Sequence, residues 1–190
     1  MKLTALLVPT LSNQLGALAG WLDKAEAFAL SRSESPDRLL ALRLAPDMFP
    51  LTTQLRFFCF QAQEPVYRLR GEEVPEAVLR VRQEGRDGGE APGTWTRARD
   101  RLAEASSLLA EVGPNEFDSD ADAPIAHALP NGMAFDMTRE QYVRDWALPQ
   151  AAFHQMIAYA LLRQAGVPLG KADFVPHMFG YLRPGTAPAV

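Results

Sequence analysis

FHQMIAYALLRQAGVPLGKADF, residues 153–174, is the stretch on which the fold reading turns. It joins an amphipathic helical pattern carrying one inward-leaning histidine, His154, to an abrupt Gly-Val-Pro-Leu-Gly-Lys stop. Working back from it, Tyr142, Trp146, Pro149, Phe153, Ile157 and Ala160 recur at steps of three and four, the signature of a helix with one dry face. Thr138-Arg139-Glu140-Gln141 has the form of a capping box and opens this last helix. Pro149 should bend it, because its ring clashes with the preceding turn and it has no N–H to donate. Gly166, with Pro168 beyond, ends it. Phe174 and Phe179 are expected to pack the following segment back onto the protein, and 184–190 to fray.

The same spacing rule finds three more helices. Leu7, Leu11, Leu15, Leu18, Leu22 and Ala25 define one over about 7–31, too polar on its other face to be a membrane span. A short helical turn follows Ser35-Pro36, a cap and a proline at the first helical position. Met48, Leu51, Leu55, Phe58, Ala62, Val66 and Leu69 define a second long helix ending near Gly71, with Asp47 as its cap and a kink or break near Gln61 caused by Pro65. Leu102, Ala105, Leu109 and Val112 mark a third, over 94–112. Between them, 72–93 contains Gly85, Gly88, Gly89, Pro92 and Gly93 and reads as a surface excursion with a helical turn at 76–83, most mobile over 84–93. Asn131-Gly132 between two short apolar runs predicts a hairpin over 125–137. The reading is an all-α bundle in a single domain, 1–183, with that hairpin before the last helix.

Composition narrows the function. The 190-residue chain carries a net charge of −4, which argues against a general nucleic-acid binder. A cytoplasmic protein without a membrane anchor is expected, and a homodimer is the commonest assembly for such a bundle. The single cysteine, Cys59, lies in Phe57-Phe58-Cys59-Phe60 and is read as a packed, inert thiol. Asp118, Asp120 and Asp122 alternate like the start of a calcium loop, but Ala123 and Leu129 stand where glycine and a bidentate glutamate are required, so a solvated acidic loop is expected. Lys171 and Asp173 are expected to form a surface ion pair.

Three histidines, His127, His154 and His177, offer no pair on one helix face and no cysteine partner, so no zinc-type motif can be read. His154 lies at the edge of the last helix's dry stripe and Gln54 at a similar edge of the second. These two, with Asp47, are the candidate ligand-binding residues of a cleft inside the bundle.

Asn13-Gln14 with LGALAGWLDKAEAFA, RLAPDMFPLTTQ at 43–54, RLRG at 68–71 and above all 153–174 resemble one family, domain-of-unknown-function family one-nine-nine-three of the DinB/YfiT-like superfamily. The resemblance implies a DinB-like four-helix bundle of up-down-down-up order and no established reaction. Metal-dependent thiol transferases of the superfamily have a site that looks like a histidine on the second helix plus an HxxxH pair on the last. Here Gln54 is the nearest polar residue on the second helix, and Ala158 stands four residues after His154. The leading expectation is therefore a binding module for a small molecule or partner, with no cofactor and no stoichiometric zinc or nickel. A thiol-transferase-type enzyme with Asp47, Gln54 and His154 as metal ligands is the alternative, ranked second because these metals prefer nitrogen to an amide oxygen.

Overall fold

The computed structural model describes residues 2–186, so most of the expected frayed tail, 187–190, lies outside the described residues. Its long helices are α1 (Leu3–Ser31), α2 (Leu51–Arg70), α3 (Glu76–Asp87), α4 (Trp95–Ala110) and α6 (Leu148–Gln164). A two-stranded antiparallel hairpin, β1 (Pro124–Ala128) and β2 (Ala134–Thr138), precedes a single helical turn, α5 (Arg139–Gln141), and a π-helical stretch, Tyr142–Ala147, that runs straight into α6. A short helix α7 (Lys171–Phe174) and a 3-10 turn (Pro176–Tyr181) close the described chain. No helix among the described residues is long and apolar enough to cross a membrane.

α1 and α2 each pack between α4 and α6, which makes them the diagonal pair of a four-helix arrangement. The leucine stripe of α1 is fully buried. Its first turn is completed from far along the chain: the Thr4 amide donates to Asp118 Oδ1 at 2.9 Å, and the Phe117 amide to the Thr4 hydroxyl at 2.8 Å. Asp118 thus caps a helix, unlike Asp120 and Asp122, which stay exposed as expected. Cys59 is wholly buried, and burial pushes its thiol up to about 12, the inert state its apolar run implied.

Four local readings are corrected. α2 starts at Leu51 behind Pro50, with Asp47 in an exposed turn and not at the cap. It also continues through Pro65, so the break named as one outcome of that proline does not occur. The 72–93 excursion contains α3, a twelve-residue helix lying along α2. Val78, Val81 and Gly85 form its buried stripe, and its glycines serve close approach. A Cβ on Gly88 would lie 2.7 Å from Thr53 Oγ1 and 2.8 Å from Thr52 Cγ2. One on Gly85 would meet the Phe57 ring at 2.6 Å. Because α3 covers it, α2 is buried nearly all round, polar residues included. The tail is held by Phe174 stacked on Trp21, by Trp21 Nε1 donating to the Asp173 carbonyl at 2.7 Å, and by Lys24, which takes Asp173 at 2.6 Å in place of Lys171. Phe179 is 56% exposed and packs nothing back.

The last helix departs from its sequence reading in phase. The buried residues are Tyr142, Val143, Ala147, Ala151, Gln155, Ile157, Ala158, Leu161 and Leu162, and Tyr142 to Ala147 is a step of five across the π-helical turn. That extra residue absorbs the disturbance at Pro149 and rotates the following stripe, so Phe153 turns outward, 56% exposed, and His154 turns in.

Two glycines separate packing from flexibility. Gly88→Ala should destabilise by about 1–3 kcal/mol through overpacking against α2. Gly16→Ala, in an exposed part of α1 with nothing near its would-be Cβ, should stabilise by about 0.5–1 kcal/mol. Urea denaturation of both variants checks the opposite signs.

A candidate ligand cleft around His154

Gln54, in the first turn of α2, donates through Nε2 to the Phe49 carbonyl at 3.3 Å, which orients its amide. Its Oε1 then lies 2.9 Å from His154 Nδ1. An amide oxygen only accepts, so Nδ1 carries the proton and the lone pair of neutral His154 sits on Nε2. Phe57 and Phe153 hold the ring edge to face, each with centroids 5.2 Å away. Burial lowers the imidazole to about 4, so it is neutral at physiological pH.

His154 lines a cavity of about 310 Å³ bordered by α2, α3, the hairpin and the last helix. This is at the small end of the roughly 300–1,000 Å³ usual for ligand pockets. Aromatic rings dominate the walls: Phe49, Phe57, Phe60, Trp146 and Phe153. The other side is formed by the loop 127–130 and by Arg82 and Arg86 of α3. His127 follows Ile125 on the inward face of β1 and is 2% exposed, its ring centroid 4.6 Å from that of Trp146. Burial first, then the charges of Arg68 and Arg82, lower it to about 4.

The cleft is unusual in its unused hydrogen-bonding capacity. Both nitrogens of His127, Gln61 Oε1 and Trp146 Nε1 are buried and have no partner among the described residues, and Tyr142 Oη, beside His127, is in the same state. Buried polar groups are ordinarily satisfied, each orphan costing on the order of 1–3 kcal/mol. Glu64, at the inner end, is the exception: burial raises its carboxyl, and Arg68 at 3.3 Å offsets that in part.

The structure therefore brings His154 and Gln54 together and leaves Asp47 outside the cavity lining. The superfamily metal site does not fit these residues. Gln54 Oε1 is already engaged by a proton-bearing Nδ1, and Ala158 is a buried methyl with nothing to donate to a cation. No group of three or more His, Cys, Asp or Glu among the described residues is placed to hold a metal. His127, Trp146, Gln61 and Arg82 were not singled out by the sequence reading. The alternation of Ile125 and His127 in β1 was the one available signal, since it puts His127 on the core side.

Fold and cleft together define a DinB-like helical bundle with an aromatic pocket between its second and last helices. The chain belongs to the DUF1993 family, a domain of unknown function, which it matches over residues 3–175. It is similar to a solved DinB family member protein from Shewanella denitrificans, with 29% identity and a TM-score of 0.76 over 98% of this chain and 96% of that one. No curated protein matches it.

The two lowered histidines make stability depend on pH. Their folded values, about 4, lie below the ordinary value of about 6.5, so the unfolded chain binds more protons between these limits. The contribution is complete above about pH 6.5 and falls away toward pH 4, by up to about 1.4 kcal/mol per pH unit for each histidine. Denaturation at pH 7 and 5 should show the loss, and His154→Gln should reduce it.

Proposed function

We propose that this protein binds a small organic molecule in the cleft between α2, α3, the hairpin and α6, and that His154 recognises a hydroxyl or N–H group on it. The observation that carries the reading is the relay from the Phe49 carbonyl through Gln54 to His154, which leaves Nε2 as the free acceptor of a ring that lines the cavity. An imidazole lowered to about 4 stays an acceptor across the physiological range and does not act as a pH switch there. The aromatic walls supply most of the apolar contact area.

Phenol and toluene have the same ring and differ in the donor. Wild-type protein should bind phenol more tightly than toluene, followed by thermal shift and by tryptophan fluorescence with Trp146→Phe as the control for signal origin. His154→Phe keeps a ring in place and removes the acceptor. It should weaken phenol at least fivefold and leave toluene nearly unchanged, as expected for about 1 kcal/mol or more from one buried hydrogen bond. If wild-type protein takes up neither compound, the cleft is not a binding site of this kind.

A further inference from the structure

We infer that the ligand of this cleft is an amphipathic organic anion, a carboxylate whose apolar body lies among the aromatic rings while its charged group is held by Arg82 and Arg86. The inference rests on the binding role proposed above and specifies the class of molecule. Arg82 and Arg86 stand four residues apart on α3, on one helix face, and both line the cavity. The Arg82 guanidinium lies over the Phe60 ring, 5.0 Å from its centroid, which seats the cation against an aromatic wall of the cavity. The same two arginines border a second concavity with Glu76, Gln83 and Pro130.

Elsewhere on the neighbouring helices, arginines are consumed by carboxylates. Arg56, Arg97 and Arg101 meet Glu84, and Arg68 meets Glu64. Among the described residues, neither Arg82 nor Arg86 has a carboxylate within ion-pair distance, so the cavity lining holds two cations without a contact partner beside one carboxylate, Glu64, which pairs with Arg68 at 3.3 Å and feels the Arg82 charge more weakly. The field of Arg82 reaches the inner wall, where it helps keep His127 uncharged. A carboxylate is planar and accepts two parallel hydrogen bonds, which is the geometry a guanidinium serves.

Phenylacetate and octanoate, each against its neutral amide, test this in the full-length protein at pH 7 by calorimetric titration. Wild-type protein should prefer each carboxylate over its amide by at least tenfold, and raised salt should shrink the preference. The double variant Arg82→Gln, Arg86→Gln, shown to be folded by an unchanged urea midpoint, should lose the preference. Amides bound as tightly as carboxylates by wild-type protein would overturn the anion assignment and leave the binding role standing. Binding of neither kind of compound would overturn both. A preference that survives in the double variant would show that the charge is read elsewhere.

Discussion

Two arginines almost entirely out of water, Arg56 on α2 and Arg101 on α4, converge on one carboxylate, Glu84 of α3. Arg101 holds it through two hydrogen bonds, one of 2.9 Å from Nε, and Arg56 lies 3.6 Å away. Burial alone would raise the Glu84 carboxyl, but the hydrogen bond from Arg101 and the charges of Arg101, Arg97 and Arg56 hold it below its ordinary value. Desolvating two guanidinium groups is costly, and each stays charged, so the arrangement is stable only with the anion in place. This fixes α3 against α2 and α4 at once. Gly85, the next residue, and Gly88 bring the backbones close enough for the Thr53 hydroxyl to donate to the Gly85 carbonyl at 2.7 Å. The position of Arg82 and Arg86 over the cleft follows from that anchoring, as does the packing of Phe57 beneath Gly85 and beside His154.

Much of this was legible in the sequence where one physical rule dominated. The four long amphipathic patterns became helices, the capping box at Thr138 formed with both its hydrogen bonds, and Asn131-Gly132 made the hairpin turn, with Gly132 at φ +90°. The failures share a cause. Glycine carries two opposite meanings, freedom and close approach, and nothing local in 85–93 distinguishes them. That segment needed α2 as a partner before Val78, Val81 and Gly85 could be seen as a stripe. Likewise, Phe153 was placed inside because a constant helical period was carried past Pro149, whereas the π-helical turn adds one residue and changes the phase. The pairing of His154 with Gln54 survived because each sits at the margin of its own apolar stripe. His127, Arg82 and Trp146 join them only through tertiary packing, which no spacing rule reports.

The cleft combines two properties that usually exclude each other. Its walls are aromatic, which favours dry, flat, apolar contents, yet its depth holds donors and acceptors left unpaired. An apolar cavity alone would accept many hydrophobes with little discrimination. The free Nε2 of His154 rejects a molecule that fails to match it, because a mismatched ligand seals that acceptor away from water without satisfying it. Selectivity in such a site comes from what it penalises as much as from what it attracts.

The closure of α1 has a consequence for the order of assembly. Its first turn is finished by Asp118, a residue 114 positions away, and its middle is tied to Asp173, 152 positions beyond Trp21. Its packing partners, α4 and α6, also come late in the chain. During synthesis, this leucine-rich helix therefore emerges well before α4 and α6, the surfaces that cover it. Contacts of such large sequence separation are made late and slow folding. The nascent chain carries an uncovered apolar stripe for most of its synthesis, the interval in which aggregation or a chaperone competes with the native bundle.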